Sequence, residues 1–282
     1  MQTPPREQRQ WPWPAMTLGL MALAAAVART AAVVRQGVGA WLGPRALPAV
    51  LLFHLGGELL MATVPAIGAV VWWKGRRWGH EVMLLGLGAV IYASVNAIGW
   101  ALVNQPALVI GMAVGLVVAL GTCANLIVRP DRAFVPRTWR RALLMGWLLL
   151  SALQIYGVWT VLFVTGVARN PLAPQTDTSL VLFRDLAELT MIVTAAYGAW
   201  AWARRSLVGT HVALVALGML LYAALNTTSQ VILVSLPWVG LETAIFFGVL
   251  AVARALLFGD AHRTVARASL VHPKATEIEG AH

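Results

Sequence analysis

The chain has 282 residues, of which 59% are hydrophobic and 11% charged, and a formal net charge of +10. Its mean hydropathy of +0.74 excludes an ordinary soluble domain, because a soluble surface of this size needs more charge. A nucleic-acid partner is excluded too, since no soluble basic domain is left once the apolar segments are removed.

Eight segments reach the roughly 20 mostly apolar residues that a hydrocarbon core of about 30 Å requires. In chain order they are 15–35, 46–73, 81–103, 106–128, 142–167, 177–203, 209–234 and 238–257. Their apolar runs are continuous rather than alternating, so they read as helices and not barrel strands. The predicted fold is all-α, a polytopic membrane protein. The N-terminal segment 1–14 carries Arg6 and Arg9 ahead of a long apolar run, which reads as an uncleaved anchor. The polar tail 258–282 reads as a disordered cytoplasmic extension.

Basic residues alternate along the connections. Lys74, Arg76 and Arg77 lie in one, Arg129, Arg132, Arg137, Arg140 and Arg141 in the next, and Arg204 and Arg205 in a third. The connections near 104 and 236 have no Lys or Arg. The positive-inside rule therefore predicts both termini in the cytoplasm of a plasma (inner) membrane protein, with anionic lipid against its basic side. Cys123 is the single cysteine, so no disulfide forms within one chain.

Residues 51–96 recur at 181–226, with about 17 of 46 positions identical at a constant offset of 130. Phe53, Glu58, Leu59 and Met61 return as Phe183, Glu188, Leu189 and Met191. Gly68 and Trp72 return as Gly198 and Trp202, while Gly88, Tyr92 and Asn96 return as Gly218, Tyr222 and Asn226. The predicted organisation is a first four-helix repeat at 15–128, a basic linker at 129–141 and a second repeat at 142–257. An even number of helices returns the second unit to the orientation of the first, so the two repeats are expected to be parallel.

The repeat also ranks the polar residues. Glu58 and Glu188 both fall near mid-bilayer, where an ionisable side chain costs roughly 2.5–3.5 kcal/mol on insertion scales. His54 lies one helical turn before Glu58, and Arg184 one turn before Glu188, so each shares a face with its glutamate. His54 can exchange a proton with Glu58, whereas Arg184 favours an ionised Glu188, and Asp185 adds a third carboxyl group. Glu58, Glu188, His54 and Asp185 are thus the catalytic candidates. Tyr92, Asn96, Tyr222 and Asn226 form polar stripes expected to bond the glutamate of their own repeat or a ligand. Among thirteen tryptophans, Trp72, Trp100, Trp159, Trp200 and Trp202 are candidates to line a cavity and offer π faces to a cation. The bland reading of each polar stripe is helix-to-helix bonding without a ligand.

No Walker A, GxSxG, HExxH or Asp-rich prenyl-diphosphate motif is present, and no metal site or cofactor is expected. His80 and His211 occupy nearly equivalent positions and could ligate a haem, though neither has a clear helix-interior setting.

Acidic residues on two separate membrane helices, Glu58 and Glu188, with aromatics around them, resemble the integral-membrane terpene cyclases of meroterpenoid and indole-terpenoid pathways. The resemblance covers no long contiguous motif, and eight predicted spans exceed the seven of the fungal members. It implies acid-initiated cyclisation of a hydrophobic, polyprenyl-like substrate entering from the lipid, with Arg184, Trp72 and Trp202 beside the Tyr and Asn stripes as substrate contacts. Such chemistry needs a carboxylic acid that keeps its proton at pH 7, π faces for the cation, and a base for the final proton. The rival reading is a proton- or cation-coupled transporter or channel using the same two glutamates. A third is an assembly or lipid-binding protein without catalysis. Oligomeric state is not legible from the sequence.

Overall fold

A computed structural model describes residues 48–74, 76, 78–104, 106–128, 178–204 and 206–231, and six isolated helical positions from Gly146 to Val249. Among the described residues the protein is all-helical: α1 (Pro48–Trp73), α2 (Trp78–Asn104), a 3-10 turn (Pro106–Leu108), α3 (Val109–Val128), α4 (Thr178–Ala203) and α5 (Leu207–Val231). The predicted spans 46–73, 81–103, 106–128, 177–203 and 209–234 correspond to these elements within a few residues. The spans predicted at 15–35, 142–167 and 238–257 lie outside the described residues, apart from those isolated positions.

Four helices are long and apolar enough to cross a membrane, over Gly56–Trp73, Trp78–Gly99, Pro106–Val128 and Val208–Thr228. Helix α4 has the length but carries Arg184, Asp185 and Glu188 in its first half. In lipid every backbone group must be satisfied within its own segment, which is why helices form here. Thr63, Thr190 and Thr228 satisfy their hydroxyls the same way, donating to the carbonyls of Leu59, Leu186 and Ala224 at 2.7 Å.

Helices α2 and α5 are apolar all round and form the centre, each with 94% of its span buried. Helix α1 packs on α2 and α5, and α4 on the same two helices from its own side. Helix α3 lies outside against α2, with Ile110, Val114 and Val117 exposed along it. Exposed aliphatic side chains at helical spacing mark the faces turned toward lipid.

Glycine fixes how closely the central helices approach. A methyl group at Gly88 would overlap the Val215 carbonyl, and one at Gly218 the Leu85 carbonyl. Those two contacts are each other's equivalents at an offset of 130. Other contacts pair in the same way. Gly68 meets the Met83 amide and Gly198 the Ala213 amide, while Gly79 meets Trp72 and Gly209 meets Trp202. The hairpins match bond for bond: Lys74, Arg76 and Gly79 amides donate to Val70, Val71 and Arg76, as Arg204, Ser206 and Gly209 amides donate to Trp200, Ala201 and Ser206. One departure is Pro65 inside α1, whose ring rests against Gly86. Positions 195 and 216 are both alanine, so α4 and α5 meet there without proline.

Candidate functional site

Glu58 and Glu188 each occupy the eleventh position of their helix, α1 and α4. Both are buried, at 3% and 1% exposure. Neither is left to hydrocarbon. Tyr222 of α5 donates its hydroxyl to Glu58 Oε1 at 3.1 Å, and Tyr92 of α2 donates to Glu188 Oε1 in a short bond. The bonding is crossed: each tyrosine serves the glutamate at the other end of the sequence repeat. The expectation that each tyrosine bonds the glutamate of its own repeat is therefore corrected. Both central helices pack directly on α1 and on α4, so each tyrosine has both glutamate-bearing helices as neighbours, and it faces the one from the other repeat.

The two tyrosine rings lie 5.8 Å apart between centroids, tilted by 51°. Two carboxyl–phenol pairs, Glu58 with Tyr222 and Tyr92 with Glu188, thus meet through their rings inside an apolar core that includes Met61, Ala62, Ala187 and Met191. Gly57 lies against the first pair: a Cβ there would stand 3.4 Å from Tyr222 Cε2, an ordinary contact that a small side chain could make. Ala187 holds the equivalent position beside Glu188. Glu188 Oε2 has no hydrogen-bond partner among the described residues.

The remaining candidates separate into those at these pairs and those elsewhere. Arg184, half-buried one turn before Glu188, is within electrostatic reach of Tyr92, Glu188 and Asp185. Asp185 is exposed, at the edge of the outward face of α4. Asn96 and Asn226 follow their tyrosines by one turn and are half-buried. The side chains of His54, Trp100 and Trp159 lie outside the described residues. Trp72 and Trp202 are fourteen residues from the glutamates, roughly 21 Å along a helix at 1.5 Å per residue. They do not line this site. Trp202 donates Nε1–H to Thr210 Oγ1 at 2.9 Å, and Trp72 meets His80 edge-on at 6.3 Å. Trp200 is exposed on the outside of α4, so it lines no cavity either.

His80 and His211 are in direct ring contact, 5.0 Å between centroids at 64°, which leaves no slot for a porphyrin between them. Instead they hold the C-terminal end of α3. His80 Nε2 is 3.1 Å from the Leu126 carbonyl, and His211, against the His80 ring, is within electrostatic reach of the Ile127 carbonyl. These carbonyls belong to the last turn, which has no partners within the helix. Nothing in the periodicity of the sequence pointed to that cap. Among the described residues no group of three or more His, Cys, Asp or Glu side chains is placed to hold a metal ion.

The arrangement can hold, donate and accept protons at two carboxyl groups, each bonded to its own phenol. Crossing makes a checkable statement about coupling. Tyr92→Phe and Glu188→Leu, which removes the acceptor, should be coupled in a double-mutant cycle by about 1 kcal/mol, within the range of buried interhelical hydrogen bonds in membranes. Tyr222→Phe and Glu58→Leu should behave alike, while Tyr92 with Glu58 should be close to additive. Stability would be read from unfolding in mixed micelles. Coupling within each repeat, and none across, would contradict the geometry.

A protein-family model described as a domain of unknown function (DUF8058) matches residues 40–134. That stretch takes in α1, α2 and α3, and so Glu58, Tyr92 and Asn96. No curated protein and no solved structure matches the chain.

Proposed function

We propose that the protein is an intramembrane acid–base catalyst that cyclises a hydrophobic, polyprenyl-like substrate by proton transfer. The observation that carries this reading is the crossed pair of buried carboxyl–phenol bonds, Tyr222 to Glu58 and Tyr92 to Glu188. Ionisable groups inside a membrane face protein or water and are functional by default. Here two of them are held by donors from different helices, with aromatic rings against them. The site is also one helix away from lipid: Leu59 and Leu189, the residues next to the two glutamates, are exposed.

In this mechanism Glu58 gives a proton to a terminal alkene carbon of the substrate, and the neighbouring double bond closes on the cation. Glu188, with Arg184 and Asp185 near it, takes the proton whose loss restores a double bond. The net change is an isomerisation, and one solvent proton replaces one substrate proton. Tyr92 and Tyr222 orient the carboxyl groups and offer π faces to the positive charge. His54, on the face of Glu58 by helical spacing, reloads the acid.

The same reading places the site within eight spans arranged as two parallel four-helix units in the plasma membrane, with both termini cytoplasmic. The contacts paired at an offset of 130 support the two units, and the basic hairpins at Lys74 and Arg204 support the orientation. A second reading, a proton- or cation-coupled transporter, is favoured by the place of the two carboxyl groups on either side of the α2–α5 contact. Repeat-built transporters keep their ion sites at such a seam.

The test is to reconstitute the protein in liposomes with polyprenyl alkenes in deuterated water. A cyclised isomer carrying one deuterium on carbon is the expected product. No product, together with solute-dependent proton flux across the vesicle wall, would transfer the site to the transporter reading.

A further inference from the structure

We infer that the outward face of α4 is a binding surface for an anionic phospholipid, with the headgroup phosphate at Arg204 and one acyl chain along the helix. Leu182, Leu186, Leu189, Val193, Tyr197 and Trp200 are all exposed. Their spacing of three or four residues puts them on one stripe. Arg204, exposed at the hairpin, continues that stripe.

The chemistry along the stripe is graded. Its first four members are aliphatic, the next two are amphipathic aromatics, and the last is a cation. From Val193 to Arg204 the helix rises roughly 17 Å at 1.5 Å per residue, close to one leaflet, about half of a 30 Å hydrocarbon core. The aromatics therefore fall at the depth of the ester groups, where Tyr and Trp concentrate.

The end of the stripe is also organised. The Tyr197 and Trp200 rings lie 5.5 Å apart at 32°, and the Arg204 guanidinium stacks over Trp200, 4.3 Å from the ring centroid. Stacking holds a guanidinium by its face and turns its N–H groups outward in the ring plane, the geometry that grips a phosphate with two bonds. The matching positions of the first half are Ile67, Val70 and Lys74, exposed as well but without an aromatic ladder. Lys74 is a point charge on a flexible stem. The comparison separates a built headgroup site from the general basic character of the hairpins, and it does not depend on the proton-transfer reading.

The experiment is native mass spectrometry of delipidated protein titrated with phosphatidylglycerol or phosphatidylcholine of identical acyl chains. The wild type should retain phosphatidylglycerol preferentially. Arg204→Gln should reduce that preference about fivefold, which corresponds to about 1 kcal/mol for one basic residue at the surface. Trp200→Leu should reduce it too, and Lys74→Gln should leave it nearly intact. An equal loss in Lys74→Gln would mean a diffuse basic surface and would overturn the proposal. Competition by inorganic phosphate at the same concentration would mean an anion site rather than a lipid site, and would also overturn it. So would a stable dimer that breaks up on Trp200→Leu and shows no lipid preference, because the stripe would then face a second copy.

Discussion

Alanine at Gly88 or Gly218 should destabilise the protein by about 3 kcal/mol, the upper part of the usual range for overpacking, and by similar amounts at the two sites. The added Cβ at Gly88 would meet the Val215 carbonyl, and that at Gly218 the Leu85 carbonyl. A flexible side chain yields to such an intrusion; a helix backbone buried on all sides does not. Helices α2 and α5 would have to move apart along their length, and the crossed tyrosines would lose their reach to Glu58 and Glu188. A control lies on α3. A Cβ added at Gly111 would have nothing within 4 Å, so Gly111→Ala should be neutral or add up to about 1 kcal/mol through helix propensity. Unfolding in mixed micelles, followed by circular dichroism, ranks the three variants. A stable Gly88→Ala with bonds to both glutamates intact would mean that the α2–α5 contact is looser than described.

The helices themselves were legible because hydrocarbon demands long unbroken apolar runs, and this requirement is written residue by residue. The turn after Lys74 and the break at Pro106 fell where charge and proline punctuate those runs. That Glu58 and Glu188 are buried and hydrogen-bonded was legible for a related reason: mid-membrane carboxyl groups are costly to leave in lipid, and the repeat kept both. Their partners were not. Spacing along α2 shows that Gly88, Tyr92 and Asn96 share a face, but not which helix that face meets. The crossing depends on which of its two neighbouring helices each tyrosine faces, a tertiary choice with no one-dimensional signature. Tryptophan was misjudged for the opposite reason. Trp72 and Trp202 repeat at 130 as faithfully as the glutamates, yet they brace hairpins beside Gly79 and Gly209. Repetition marks what the fold needs as well as what a site needs, and part of that need is structural.

Glu58→Gln should lower product formation by about 10²–10⁴-fold, the usual share of a positioned general acid, while leaving the fold in place. The glutamine amide has the size of the carboxyl group, and its carbonyl oxygen can still accept the Tyr222 hydroxyl that now lies 3.1 Å from Glu58 Oε1. What it lacks is a transferable proton. The proposed mechanism takes Glu58 rather than Glu188 as the donor because the sequence sets Arg184 one turn before Glu188, within electrostatic reach of it, and His54 one turn before Glu58. A carboxylate beside a guanidinium is suited to receive a proton, and a carboxyl group beside an imidazole to be recharged with one. Tyr222→Phe gives the intermediate case. It keeps the acid and removes the hydroxyl that aims it, so product should fall less than in Glu58→Gln. Deuterium from solvent should still appear on carbon in whatever product remains. Turnover would be measured in proteoliposomes with polyprenyl alkene, alongside unfolding midpoints for each variant. Wild-type turnover by Glu58→Gln would remove Glu58 from the acid role, and loss of product with a collapsed midpoint would assign the residue to folding instead.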